Sequence, residues 1–158
     1  MNALCIVPCG KKKIWDIEPD VKSSKAKNVY IGSFANKCKE YAEKFHPHTW
    51  CILSAKYGFL FPDEVIPNNY NVCFNDKNSD TITIDELNLQ IITKEMDLYD
   101  FIIVLGGKYY LEIIKRVFPN KTIINPLNGC AGIGYMMKRL NDSIINNVSI
   151  ESTIIAEI

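Results

Sequence analysis

Four short apolar runs alternate along this chain with segments of helical periodicity, and this alternation constrains the fold more than any other feature. The runs read as buried strands, and three of them are followed by Pro8, by Gly106 and Gly107, or by Pro126. Strands that alternate with helices usually form a mainly parallel sheet with helices on both faces. We therefore predict a single domain over residues 1–158, with a three-layer α/β/α fold and a mainly parallel sheet of four to five strands.

The boundaries of these elements follow from the apolar spacing and from the residues that start and stop helices. Strands are predicted over residues 3–8, 49–54, 101–105 and 121–125. Helices are predicted over residues 34–46, 84–98 and 108–118, and from 129–134 to about residue 145. Ser33 and Thr83 are expected to be N-caps, and residues 9–31 and 55–80 to be loops. The apolar tail, residues 148–158, is predicted to form an edge strand or a contact with a partner such as a second copy of the chain.

Charge and hydropathy exclude some classes of function. Lys and Arg together number 18, as do Asp and Glu, so the net charge is zero. A neutral chain does not coat duplex DNA or an anionic membrane broadly, although it can hold a small basic pocket. No apolar run approaches the roughly 20 residues that span a bilayer. Residues 1–8 lack the basic start of a signal peptide, so we expect a cytoplasmic protein without a membrane contact.

The cysteines and histidines do not predict a metal site. Six cysteines occur without a CxxC pair, which favours reduced thiols and neither a disulfide nor a structural metal. His46 and His48 flank Pro47 at a predicted helix end, where we interpret them as surface or capping residues. We predict no cofactor.

Ligands of open parallel sheets bind at the carboxyl ends of the strands. Four predicted loops meet there, and they hold the unusual residue clusters of the chain: residues 8–13, 54–58, 105–109 and 125–134. We therefore expect the functional site at this edge of the sheet.

The lysine-rich turn after the first strand is the first candidate. Gly10 permits a tight turn, and Lys11 beside exposed backbone amides can hold an anion. Cys9 is a candidate catalytic residue if a neighbouring lysine lowers its pKa. The alternatives are a solvated turn and a buried, inert thiol.

The segment after the second strand is the second candidate. Ser54 is predicted to bind ligand, while Lys56 and Tyr57 can donate to an oxyanion or a ring heteroatom. Asp63 can accept or transfer a proton and is also predicted to be catalytic. A helix start is the alternative interpretation of Asp63 and Glu64.

Glycines and loop aromatics complete the candidate site. Gly106 and Gly107 would let a ligand approach the amides at a helix N-terminus, or they simply form a turn. The GxxGxG of residues 129–134 is explained equally well by close packing of a helix. Tyr70 or Phe74, from the long loop, would offer a stacking face to a base.

Several segments together resemble a known family. They are residues 8–13, 30–34, 52–60, 62–66 and 126–127, with Tyr70 and residues 132–134. The chain resembles the small bacterial, archaeal and phage domains labelled YaaA-like, after a peroxide stress protein. More distantly it is similar to the core domain of archaeosine synthase and to uracil-DNA-glycosylase-like folds. The resemblance implies a ligand the size of a nucleobase or nucleotide.

Three functional hypotheses follow, and the last is an interaction module whose tail, residues 148–158, pairs with the sheet edge of a partner. In the first, the protein is an enzyme of nucleobase modification, base transfer or N-glycoside cleavage. Lys11 and Lys56 would stabilise negative charge, Tyr57 or Asp63 would assist proton transfer, and Cys9 or Ser54 would orient the base. In the second, it binds a nucleotide or DNA without catalysis, in a stress response or in phage–host interaction.

Overall fold

The computed structural model describes residues 2–76 and 80–156. Its strands are β1 (Ala3–Pro8), β2 (Ser24–Lys25), β3 (Trp50–Ser54), β4 (Gly58–Leu60), β5 (Val65–Ile66), β6 (Phe101–Val104) and β7 (Thr122–Ile124). Its helices are α1 (Ser33–Phe45), α2 (Ile84–Thr93), α3 (Lys108–Val117), α4 (Ile133–Asn146) and α5 (Ile150–Ala156).

A five-stranded sheet in the order β4-β3-β1-β6-β7 forms the centre of the fold. Strands β3, β1, β6 and β7 are parallel, and only β4 is antiparallel to its neighbour among these five. The predicted mainly parallel sheet is thus confirmed. The chain passes from β1 outward to β3 and then returns across β1 to β6. The direction of winding therefore reverses between β1 and β6, and such a reversal opens a crevice at the carboxyl ends of the strands.

The buried residues of β1 divide between two apolar clusters because successive side chains of a strand point to opposite faces. Cys5 and Val7 belong to the cluster that α1 joins through Tyr41. Leu4 and Ile6 belong to the cluster that α2 and α3 join. A strand buried on both faces has a continuous apolar sequence, and for this reason the apolar run at residues 3–8 predicts a strand.

Helix starts and stops follow the expected chemistry in one helix and depart from it in another. Thr83 caps α2 as predicted, since its side chain accepts a hydrogen bond from the Glu86 amide. Gly32, and not Ser33, is the N-cap of α1. Helix α2 ends at Thr93, earlier than predicted, because Glu95 adopts a left-handed conformation with φ 56° before a short 3-10 turn.

Both predicted long loops contain additional strands. Strand β4 turns back on β3, with Ser54 opposite Gly58, and β2 pairs with β5. These strands have two or three residues each, too few to show a period in the sequence. The hairpin has a consequence for the site, because residues beyond β4 return to the amino edge of the sheet.

The predicted edge strand at the tail is wrong, because residues 150–156 form helix α5. Glu151 is fully buried and its carboxylate accepts hydrogen bonds from the Tyr41 hydroxyl and from His46 Nε2. His46 is the C-cap of α1, as the capping interpretation expects, but it is buried and not at the surface. The tail is ordered through residue 156, as expected, and the last two residues lie outside the described part. A partner contact of the tail stays a prediction.

No helix in the described ranges is long and apolar enough to cross a membrane.

Candidate functional site

The ends of β1 and β6 meet where the winding reverses. Cys9 follows β1, and Gly106 and Gly107 lie between β6 and α3. The Tyr110 hydroxyl, from the first turn of α3, lies 3.2 Å from Cys9 Sγ and donates to the Cys9 carbonyl at 3.2 Å. The two neighbouring strand ends are thereby joined across the crevice.

Three buried hydroxyl groups form a chain beside this crevice, and we call them the Tyr70 cluster: Tyr30, Ser54 and Tyr70. The Tyr70 hydroxyl lies 2.9 Å from Ser54 Oγ and also contacts the Tyr30 hydroxyl. Ser54 Oγ accepts hydrogen bonds from the backbone amides of Lys56 at 3.2 Å and Tyr57 at 3.1 Å. Ser54 is fully buried, so it holds the turn and Tyr70 in place and presents no surface to a ligand.

Lysines surround the Tyr70 cluster. Lys13 Nζ lies 4.6 Å from the centre of the Tyr70 ring, and Lys56 Nζ lies 5.6 Å from it. Lys13 is only 3% exposed, and its ammonium donates to the Lys11 carbonyl at 3.1 Å. Within the described residues, no ion pair joins Lys11, Lys13 or Lys56 to a carboxylate. The edge therefore carries uncompensated positive charge.

The loop after β1 brings Lys13 and Tyr30 together. An isolated antiparallel bridge pairs these two residues, and amide hydrogen bonds on either side fix it, from Ile14 to Val29 at 2.8 Å and from Ile31 to Lys12 at 3.1 Å. Lys13 was recognised in the sequence only as part of a lysine run. Its burial depends on this fold of the loop, which no local pattern predicts.

Two connected depressions open at this edge. The first, the aromatic crevice, has a volume of about 270 Å³ and is lined by Cys9, Gly10, Lys11, residues 72–75, Tyr109 and Tyr110. The second, the lysine hollow, has a volume of about 510 Å³ and is lined by Lys11, Lys12, Lys13, Asp16, Asn69, Tyr70 and Asn71. Lys11 lines both, so the two are neighbours.

The aromatic rings at the site have different roles. Phe74 contacts the ring of Tyr110 edge-on at 5.6 Å and that of Tyr109 at 6.0 Å, and it lines the crevice. Tyr70 is 8% exposed, with Tyr57 edge-on against its ring at 5.3 Å. Phe74 thus presents ring surface to the crevice, whereas Tyr70 is the centre of a buried cluster.

Burial keeps the thiol and the tyrosine hydroxyls of the site protonated. It raises the pKa of Cys9, although the Tyr110 hydrogen bond and the charge of Lys13 act in the opposite direction. It also raises the pKa of Tyr30 and Tyr110, and that of Tyr70 to about 12. The predicted influence of a lysine on Cys9 is therefore present but outweighed. These groups act as hydrogen-bond partners, not as a thiolate or phenolate.

The two glycines after β6 differ in function. Gly106 has φ 149°, and a side chain there would meet the Tyr110 ring at 3.3 Å. It is therefore required for Tyr110 to reach Cys9. Gly107 is the N-cap of α3 and has open space around it, so the first amides of that helix are accessible.

Asp63 lies apart from the other predicted site residues. The β3–β4 hairpin carries it to the amino edge, where its carboxylate pairs with Lys27 at 3.2 Å and Lys25 at 3.5 Å. The Lys27 hydrogen bond and the two positive charges lower the pKa of Asp63. An exposed, ionised carboxylate at the opposite edge cannot assist proton transfer at the crevice, so the predicted catalytic role of Asp63 is corrected.

The described residues contain no group of three or more His, Cys, Asp or Glu side chains that could hold a metal ion. No disulfide joins two cysteines within the described residues.

The fold and this edge define a class: α/β proteins with a mainly parallel sheet and a lysine-lined, aromatic crevice at the point of reversal. A family model described as a family of unknown function (DUF6884) matches residues 4–142, and the chain belongs to this family. It is also 41% identical over 145 residues to the uncharacterised protein YfjM of Bacillus subtilis (strain 168), a match that covers 91% of this chain and 96% of the relative.

These findings correct the resemblance drawn from the sequence motifs. The family match and the Bacillus relative place the chain with DUF6884, and they give no support to the YaaA-like, archaeosine synthase or uracil-DNA-glycosylase-like assignments. The lysine turn and the segment of residues 52–58 carried that resemblance. Both follow strands of a parallel sheet, where turns rich in Gly, Ser and Lys serve many unrelated proteins.

Proposed function

We propose that the protein binds a nucleotide at the carboxyl edge of its sheet, with phosphate in the lysine hollow and the base in the aromatic crevice. One observation carries this proposal: among the described residues, no ion pair joins Lys11, Lys13 or Lys56 to a carboxylate. Lys11 and Lys13 line the hollow, Lys56 lies beside the Tyr70 ring, and Lys11 also lines the crevice that holds Phe74.

The lysine hollow suits phosphate for electrostatic reasons. The chain as a whole is neutral, so a local excess of cations is not a by-product of overall charge. Burying the Lys13 ammonium at 3% exposure costs free energy unless an anion compensates it. Lys94, which is partly buried, differs from Lys13 because its ammonium pairs with Glu64 at 2.9 Å.

The aromatic crevice suits a base. Phe74 and the half-exposed Tyr109 supply apolar ring surface, and stacking on a ring is favourable for every base. The Cys9 thiol and the Tyr110 hydroxyl are protonated, and can exchange hydrogen bonds with polar atoms at the base edge.

The proposal also rests on the sheet being covered on both faces, which leaves its edges for ligand. We infer the three-layer arrangement predicted from the sequence, because α1 contributes Tyr41 to the cluster on one face of β1, whereas α2 contributes Leu87 to the cluster on the other.

The test is calorimetric titration with ATP, adenosine, pyrophosphate and a short single-stranded oligonucleotide. We expect ATP to bind more tightly than adenosine or pyrophosphate, and added salt to weaken ATP binding. Lys11→Ala and Lys56→Ala should each weaken ATP binding about tenfold or more, because each removes a charge-assisted hydrogen bond.

Lys115→Ala is the matched control, since Lys115 is exposed in the last turn of α3, at the other edge of the sheet. It should leave ATP affinity unchanged. Tighter binding of the oligonucleotide than of ATP would indicate that the ligand is nucleic acid. Equal weakening by Lys115→Ala, or no binding of any of the four probes, would refute the proposal.

A second candidate, an enzyme acting on a nucleobase, is favoured by the Tyr70 cluster. A chain of three buried hydroxyls beside two lysines can donate a proton to a leaving group or an exocyclic atom. Mass spectrometry of nucleotides and oligonucleotides incubated with the protein would detect base modification, base transfer or N-glycoside cleavage. Tyr70→Phe should abolish such turnover while ATP still binds; turnover that persists in this variant would exclude the role of the cluster.

A further inference from the structure

A third cavity adjoins the aromatic crevice. It has a volume of about 650 Å³ and lies between the start of α2 and the exposed side of α3. Phe74 and Tyr109 line both this cavity and the crevice, so a ligand can pass from one into the other without leaving the protein surface. We call it the α2–α3 cavity.

The walls of the α2–α3 cavity are largely apolar. Ile84 and Leu87 of α2 and Ile113 of α3 line it from two helices that pack against each other, and Ile82 lines it from the segment before α2. Its volume lies within the range of ligand pockets, about 300–1,000 Å³. Lys108, Glu112 and Arg116 are exposed residues of α3 that also line the cavity and form its rim, and the described residues show no ion pair among them. The rim therefore has an excess of positive charge.

The order of the three depressions constrains which part of a bound nucleotide can reach the α2–α3 cavity. The lysine hollow shares Lys11 with the crevice, and the crevice shares Phe74 and Tyr109 with the α2–α3 cavity. If phosphate lies in the hollow and the base lies on Phe74, the cavity begins on the side of the base away from the phosphate. A group that fills it must then be attached to the base, and not to the phosphate chain.

We propose that the α2–α3 cavity is a subsite for a bulky apolar substituent on the nucleobase. The ligand class is a nucleotide whose base carries an aliphatic or aromatic group. This proposal rests on the proposed nucleotide function, whose phosphate and base subsites it extends. The positive rim would favour a substituent that also bears a carboxylate.

The experiment compares ATP with N6-benzyl-ATP by calorimetric titration. We expect N6-benzyl-ATP to bind about tenfold more tightly to the unsubstituted protein, because burial of the benzyl group removes apolar surface from water. Ile113→Asp, which places a charge in the cavity wall, should abolish that tenfold difference, and Ile113→Trp, which narrows the cavity, should reduce it. Both variants should retain the ATP affinity of the parent.

Leu89→Asp is the matched control, because Leu89 is an exposed aliphatic residue of α2 that does not line the cavity. It should preserve the tenfold preference. Circular dichroism establishes whether each variant is folded. If Ile113→Asp does not fold, Ile113→Trp still tests the proposal. If ATP binds but N6-benzyl-ATP binds no better, or the preference survives both Ile113 variants unreduced, the substituent subsite is refuted while the nucleotide function stands. If neither nucleotide binds, both proposals fail.

Discussion

Two buried clusters of polar groups in this protein differ in the group that completes them. In the Glu151 cluster, formed by Tyr41, His46 and Glu151, a fully buried carboxylate accepts hydrogen bonds from a hydroxyl and an imidazole. In the Tyr70 cluster, hydroxyls bond to each other and the adjacent charges are the lysine ammonium groups. In the first cluster the donors bond to a carboxylate of the protein. In the second, no described carboxylate forms an ion pair with the adjacent lysines, and Asp16 only lines the hollow beside them.

The difference separates a structural role from a ligand-binding one. A buried polar cluster whose donors and acceptors are satisfied within the chain connects elements, and here it ties α5 to the end of α1. A cluster beside unpaired cations lowers stability unless something anionic binds. The two clusters should therefore respond oppositely when their charged group is removed.

The largest effect is expected from Glu151→Ala. It leaves the Tyr41 hydroxyl and the His46 ring without their buried acceptor, so the free energy of unfolding should fall by about 3–5 kcal/mol. Urea denaturation followed by circular dichroism measures this. Glu43→Ala, at an exposed position of α1, should change stability by less than about 0.5 kcal/mol. Equal effects of the two substitutions would show that the Glu151 cluster is not structural.

Tyr70→Phe should have the next largest effect, a loss of about 1–2 kcal/mol near neutral pH, because it leaves the buried Tyr30 hydroxyl without its partner. The pKa of Tyr70 is raised to about 12 by burial, against about 10 for a free tyrosine. The folded protein thus holds this proton more tightly than the unfolded chain. The corresponding stability is complete below pH 10 and is lost as the pH rises towards 12.

Urea denaturation at a series of pH values from 8 to the alkaline limit checks this. The unsubstituted protein should lose stability more steeply above pH 10 than Tyr70→Phe does. Tyr135→Phe, at an exposed tyrosine of α4, should follow the unsubstituted protein. Parallel curves for all three proteins would contradict the assigned burial of the Tyr70 proton.

Lys13→Met tests the difference between the two clusters most directly, because it should raise stability and lower ATP affinity. Removing a buried ammonium that has no carboxylate partner should raise the free energy of unfolding, by about 1 kcal/mol. The same substitution should weaken ATP binding about tenfold. Thermal unfolding with and without ATP measures both. If the variant is less stable but binds ATP as well as the parent, Lys13 has a structural role, and the two clusters do not differ in function.

Asp63→Asn is expected to have the smallest effect. Its ion pairs with Lys25 and Lys27 are exposed and lie at the amino edge, so neither stability nor ATP affinity should change measurably. A drop in ATP affinity would show that Asp63 belongs to the binding site and that the ligand extends to the amino edge of the sheet.

Much of the central sheet was predictable from the sequence. The strands at residues 3–8 and 101–104 are apolar on both faces, and alternation with helices is enough to predict that they run parallel. Parallel strands place their following loops at one edge, so the meeting of Cys9, Lys56 and Gly106 at that edge was also predictable. Helix α5 could have been found from the spacing of Ile150 and Ile154, which fits a helix better than a strand.

Tertiary structure alone decided which of those edge residues are free to bind and which are structural. The sequence determined the strands, their direction and the concentration of lysine at one edge, because apolar periodicity and turn residues act locally. It could not show that Lys13 is buried against Tyr70, that Asp63 is carried away by a three-residue strand, or that Glu151 pairs with His46. These contacts join residues far apart in the chain, and their burial and pairing depend on how the loops pack on one another.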